Sequence, residues 1–288
     1  MKIFYFSLSL LLLLPNFLNT TLEEKPAYNK IEFFDPSLSK INSVQKLINY
    51  SDSVSQKEYK RNTLEYALVV SDVMEKRFYH GFSTYSLRQN WIAAVSQYLF
   101  GHYLANPVVP EDILKYQYAG CSQQAIVLAD VMKRNQVPYR KLGFPHHYAT
   151  ELEFNNSWYF FDTNMEPVMT AEDRNLKNWN HNSDQLKKFY HKNFAAINWG
   201  LGDGLKAEVG EVDAAPAPRA FLFQIITKYL SRLLWLVPLF LGVYPRKTNS
   251  RFISNVCIIS AYLLNRNILL FPIIKSKLVN TGYTIFTI

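Results

Sequence analysis

A thiol, an imidazole and a carboxylate fall in that order between Gly120 and Glu166: Cys121, His147 and Asp162. These residue types are the inventory of a nucleophilic site, in which a base takes the thiol proton and a carboxylate orients the base. Cys121 opens the segment CSQQAIVLADVMKRNQ. Its apolar residues at Ala125, Ile126, Leu128, Val131 and Met132 fit an amphipathic helix of about four turns. Gly120 allows an abrupt start, and Gln136-Val137-Pro138 ends it. The thiol is therefore expected at a helix N-terminus, where unpaired backbone N–H groups stabilise negative charge on sulfur and offer a donor to an oxyanion. The plainer alternative is that Cys121 is a small buried hydrophobe.

The partners must come from elsewhere in the fold. Thr150 to Phe154 and Ser157 to Asp162 are short apolar and aromatic runs separated by Asn155-Asn156, which predicts a β-hairpin. If Phe154 pairs with Ser157, His147 lies opposite Asn164 and Asp162 is its diagonal neighbour on the same face. Asp162 can then accept from one ring nitrogen, leaving the other for Cys121. A satisfied structural histidine is the competing account. His146 is the rival to His147; the latter is preferred because Glu151 and Asp162 fall in register with it, and a slip of one residue would exchange the two.

Gly120-Cys121 with Ala125, the exit Val137-Pro138-x-Arg140, His147 with Glu151, and Trp158-x-x-x-Asp162 together resemble the transglutaminase-like core, whose layout is similar to papain. The resemblance covers roughly residues 85 to 168. It implies Cys121 as nucleophile, His147 as general base and acid, and Asp162 as orienter of the histidine. The sequence departs from the family pattern at Ala149, Gln136 and Thr163-Asn164, none of which removes a catalytic atom.

Helices are expected over Ser37–Tyr50, Ser55–Tyr79 and Ser86–Leu104, with a short one at Pro110–Lys115. The third carries Trp91, Ile92, Val95, Tyr98, Leu99 and Phe100; Trp91 is expected to pack into the core, although its indole N–H could instead assist an oxyanion. Tyr116, Gln117 or Tyr118 could line the cleft, and Lys115 is expected to be solvated rather than to act on the thiol. Ala171–Trp179 and Ser183–Phe194 are candidate rim helices. Residues 200–219, rich in Gly and Pro, have linker composition. No pair among the six histidines has metal-ligand spacing, and adjacent His146-His147 on a strand would point apart, so neither a metal nor another cofactor is expected. No phosphate-binding loop or nucleic-acid motif occurs.

Charge is unevenly spread. After Asp213 there is no acidic residue, yet nine Lys or Arg follow, leaving 22 basic against 23 acidic residues upstream. The net charge of +8 thus belongs to an apolar tail, which fits a membrane better than a nucleic acid. Lys2 followed by an apolar run to Leu14 has the form of a secretory signal or an uncleaved anchor. The 25 residues Ala220–Tyr244 are long enough to cross a bilayer, although Lys228 and Arg232 weaken their first half. A second apolar tract, Phe252–Ile274, is broken by Asn265-Arg266-Asn267. The positive flank at Arg246, Lys247 and Arg251 would place the Cys121 domain on the exported side. Cys257, in apolar surroundings, is expected to be inert.

The expected protein is α+β: a signal or anchor (1–21), a transglutaminase-like domain (22–199) of N-terminal helices plus an antiparallel sheet, a linker (200–219) and a membrane-associated region (220–288) with one or two transmembrane segments. The expected activity is hydrolysis or acyl transfer at an amide or ester of a protein, peptide or other substrate. The alternatives are the same fold kept as a catalytically silent binding module beside a membrane, or an integral membrane protein whose tail carries the function.

Overall fold

The computed structural model describes residues 2–30, 32–165, 167–191 and 194–244. The second apolar tract, Cys257 and the positive flank from Arg246 onward lie outside them. The described chain divides into a main unit, Leu10–Trp235, and a smaller one holding Lys2–Ser9 and Leu236–Tyr244.

In chain order the helices begin with α1 (Lys2–Leu13), which runs into a 3-10 turn at Leu14–Phe17. A further 3-10 turn, Pro36–Lys40, precedes α2 (Val44–Val54) and α3 (Leu64–Arg77). Asp35, Ser43 and Thr63 cap these three starts by accepting from Ser37, Lys46 and Tyr66 N–H. The long helix expected over Ser55–Tyr79 therefore begins only at Leu64. Gln56 and Lys57 adopt positive φ and break the chain between α2 and α3.

Strand β1 (Tyr79–His80) follows, then α4 (Leu87–Phe100), kinked where Asn90 leaves helical geometry, and a 3-10 turn at His102–Leu104. After α5 (Pro110–Ile113), strand β2 (Tyr118–Ala119) pairs in parallel with β1 and leads straight into α6 (Cys121–Arg134). A four-stranded antiparallel sheet is then built from β3 (Tyr139–Gly143), β4 (Tyr148–Phe154), β5 (Ser157–Phe161) and, after α7 (Leu176–Trp179), α8 (Ser183–Lys187) and α9 (Phe194–Leu201), β6 (Glu208–Val209). Its order is β5-β4-β3-β6. Two further helices, α10 (Pro218–Leu233) and α11 (Leu236–Val243), complete the described chain.

The chain is thus α+β, with an antiparallel sheet covered on both faces. The face carrying Tyr139, Leu152, Phe154 and Phe161 packs on α2, α3 and α6. The face carrying Leu142, Ala149 and Phe160 packs on Trp179, Leu186, Tyr190, Ile197 and Leu201. The alternation of the strands supplies both faces. Arg77 fastens the approach to α6: it is fully buried and donates to the carbonyls of Ile41, Leu114 and Tyr116.

One expectation is corrected. Residues 200–219 are more than a linker: they hold the last two residues of α9, the whole of β6 and the start of α10, and Asp213 exchanges hydrogen bonds with both backbone groups of Tyr139. On α4, Trp91 and Ile92 are half-buried and Val95, Tyr98, Leu99 and Phe100 are exposed, while Asn90, Ser96 and Gln97 are buried. In the same region, Pro218–Val243 is a 26-residue helical stretch holding an 18-residue window of mean hydropathy 1.4, long and apolar enough to cross a bilayer.

Candidate active site

Cys121 is the first residue of α6, and its placement is built from several directions. The Gly120 N–H donates to Gln123 Oε1 at 3.1 Å. That oxygen also accepts from the Ser83 N–H, while Gln123 Nε2 donates to the carbonyls of Ser83 and Pro107. Gln123 thereby ties the start of α6 to two earlier loops. An added Cβ at position 120 would lie 2.5 Å from the Phe82 ring, so any other residue there would require that ring to shift.

The hairpin supplies the other two groups. Asn155 and Asn156 both take positive φ, as a two-residue I′ turn requires. The resulting register pairs Phe154 with Ser157 and Thr150 with Phe161. His147 and Asp162 are brought together as that register predicts, with His147 Nε2 and Asp162 Oδ2 2.8 Å apart. The Cys121 sulfur is the second group that acts on the ring, raising the imidazole pKa together with Asp162. The chain thus assembles Cys121, His147 and Asp162 around one imidazole.

Electrostatics couples the three. Burial alone would depress the His147 pKa; the Asp162 carboxylate and the Cys121 sulfur outweigh it and raise the imidazole to about 10. Burial would likewise raise the Asp162 carboxyl. His147, the Tyr190 hydroxyl and the Met165 N–H hold it below the usual carboxylate range instead. Oδ2 also accepts from the Tyr190 hydroxyl at 2.7 Å, and Oδ1 accepts from the N–H groups of Asn164 and Met165 at 3.1 Å.

The nearby candidates separate cleanly. His146 stacks flat on Trp199, ring centroids 4.0 Å apart, and its N–H donates to the Gly200 carbonyl. Glu151 belongs to a different cluster, accepting from Arg140 at 2.7 Å and lying 3.2 Å from His181 Nε2. The Trp91 indole donates to the Ser231 carbonyl, so it is not an oxyanion donor. The Tyr116 hydroxyl donates to the Thr84 carbonyl, Gln117 to Ser39, and Lys115 pairs with Asp112 at 2.6 Å. Sequence reasoning missed Tyr190, which lies in a stretch without clear periodicity. The turn donors after Asp162 were more accessible, since an Asp commonly accepts from the backbone two or three residues on.

A cleft of about 200 Å³ opens beside the first turns of α6. Ser122, Ala125 and Ile126 form one wall, and Lys141, Tyr148 and Thr150 of the sheet form the other. Pro216 and Ala217 lie along its edge. Among the described residues no cluster of three or more His, Cys, Asp or Glu side chains is placed to hold a metal ion. Comparison with family models, curated proteins and solved structures finds no match for this chain.

Proposed function

We propose that this chain is a transglutaminase-like, papain-like cysteine enzyme that cleaves or transfers acyl groups from amides or esters through a thioester on Cys121. It is tethered to a membrane, with the catalytic body on the exported side. The single observation that carries the reading is His147, held 2.8 Å from the Asp162 carboxylate in a buried cluster in which the Cys121 sulfur also raises the imidazole pKa.

The chemistry follows from the charges. An imidazole raised to about 10 is protonated at neutral pH, which makes it the counterion of a Cys121 thiolate. The sulfur attacks the substrate carbonyl, and the first N–H groups of α6 are available to the oxyanion. Collapse of the tetrahedral intermediate breaks the bond to the leaving amine or alcohol, which takes the His147 proton. The acyl group is then on sulfur, and the sulfur's charge is gone. With it goes part of what held the imidazole protonated, so His147 can next deprotonate a water or an acceptor amine. That nucleophile attacks the thioester, the thiolate leaves, and the imidazolium is restored. Protein, peptide and other amide-bearing compounds are the substrate class. Hydrolysis is the favoured outcome, because water needs no acceptor pocket.

One observation favours the silent binding module instead: Cys121 is only 6% exposed. Alkylation decides between the two. Under the enzymatic reading, iodoacetamide at neutral pH labels Cys121 much faster than a free thiol, and His147→Ala slows it. Equal, slow labelling of both proteins would establish the binding module. Trapping and identifying an acyl group on Cys121 in native membranes would name the substrate.

A further inference from the structure

Two helices of the main unit, α4 and α10, are built inside out. On α4 the buried side chains are Asn90, Ser96 and Gln97, together with small alanines, while Leu99 is 72% exposed and Phe100, Tyr98 and Val95 are also turned outward. On α10 the buried side chains are Gln224, Thr227 and Ser231, and those exposed include Leu222, Ile226, Tyr229 and Leu233.

The buried polar groups bind one another across the helix pair. Asn90 Nδ2 donates to Thr227 Oγ1 at 2.9 Å and to the Gln224 carbonyl at 3.2 Å. The Ser231 hydroxyl donates to Asn90 Oδ1 and accepts from the Ile92 N–H, both at 3.1 Å. In water this arrangement is inverted, since each exposed Å² of apolar side chain forgoes about 25 cal/mol that burial would contribute. In hydrocarbon it is the expected one. There the apolar side chains face acyl chains, and small residues and interhelical hydrogen bonds hold the helices together.

Three further observations point the same way. Between Gly81 and Glu111 the only Lys, Arg, Asp or Glu is Arg88. The Tyr85 N–H donates to the Ala105 carbonyl at 2.9 Å, so residues 86–104 leave the body and rejoin it at one neck. α4 packs on α10, and α10 opens the stretch Pro218–Val243 that has the length and hydropathy of a membrane span.

We infer that α4 is embedded in a lipid bilayer together with α10, its outward apolar face covered by acyl chains. The body is then seated in the membrane by a hydrogen-bonded helix pair, not hung from it by a linker. This does not depend on the chemistry at Cys121.

The test uses the full chain with Cys121→Ser and Cys257→Ser, in vesicles of phosphatidylethanolamine and phosphatidylglycerol. A nitroxide is attached in turn at Leu99→Cys, at Leu222→Cys and, as a reference on the exposed surface, at Glu58→Cys. Collisions with oxygen and with a water-soluble nickel chelate are measured for each. At Leu99 and Leu222 the chelate should collide about tenfold less often than at Glu58, and oxygen more often, because polar solutes are excluded from hydrocarbon. Chelate access equal to that at Glu58 would put the face in water and overturn the inference. Low access to both reagents would overturn it differently, by showing a second copy of the chain on that face.

Discussion

Lys228 places its ammonium 2.8 Å from both carboxylate oxygens of Asp112, joining α10 to α5, the short helix before Cys121. Asp112 is fully buried and also accepts from the Tyr85 hydroxyl at 2.9 Å and from Lys115 at 2.6 Å. A lysine that counts against a membrane span in the sequence is therefore paired in the fold. This contact bears directly on whether α10 stays docked.

Acid should release it. Burial acts to raise the Asp112 carboxyl, but Lys115 and Lys228 hold it below its ordinary value of 3.8. A depressed folded-state pKa contributes stability that is complete above the unfolded value and is lost as pH falls through the folded one. Lowering the pH below about 3.8 should therefore loosen α10 from α5, followed by the fluorescence of Trp91, whose indole donates to α10. Lys228→Met should cost about 1–3 kcal/mol in thermal unfolding at pH 7, less than full loss of a buried pair because Lys115 remains. An unchanged midpoint would show that the pair adds nothing.

Removing the Asp162 charge should move a titration. His147 is raised to about 10, so its charged form is fully stabilised below the unfolded value of 6.5, and that stabilisation is lost as pH rises through 10. Asp162→Asn keeps the shape and removes one of the two raising charges, which should lower the imidazole by about 1–3 units. Nitrogen chemical shifts of His147 across pH 5–11 would read both values. Iodoacetamide labelling of Cys121 at pH 7 should slow in the same variant. If the two proteins titrate alike, Asp162 does not set the charge of the base.

These two sites show what the sequence could and could not convey. The hairpin register was legible because alternation over Thr150–Phe154 and the Asn155-Asn156 turn leave few other pairings, and it brought His147 to Asp162 by counting alone. The start of α6 was legible from Gly120, the apolar spacing and Pro138. Strand β3 was not, since Tyr139–Gly143 is short and does not alternate cleanly. Tyr190 reaches Asp162 from 28 residues away with no local pattern to announce it. The helix α4 was legible, but a list of its apolar residues does not say which face turns inward. That depends on whether the surroundings are water or hydrocarbon, which no window of residues encodes.

The turn residues carry their own prediction. Asn156 has φ +58°, which glycine adopts without the Cβ clash and a β-branched residue resists. Asn156→Gly should be neutral or stabilise by a few tenths of a kcal/mol. Asn156→Val should cost about 1–2 kcal/mol and lower the Cys121 labelling rate, because the turn sets the register that aligns His147 with Asp162. If Asn156→Val unfolds normally and labels normally, the register is held by packing on α6 and not by the turn.

Arg77 gives the most demanding test of how the nucleophile is held. Its guanidinium donates to three carbonyls at 2.8–3.0 Å, two of them in the segment between α5 and β2. Burial with no carboxylate partner lowers its pKa to about 10, so it remains charged at neutral pH. Arg77→Met would leave the carbonyls of Ile41, Leu114 and Tyr116 without this donor. At about 1–3 kcal/mol for each acceptor left unpaired, the loss should exceed 3 kcal/mol. Arg77→Lys has one point-like donor group in place of a planar fork and should recover only part of it. Urea unfolding of the three proteins gives the order. If Arg77→Lys matches the native protein, the fork geometry is not what fixes the segment leading into β2 and Cys121.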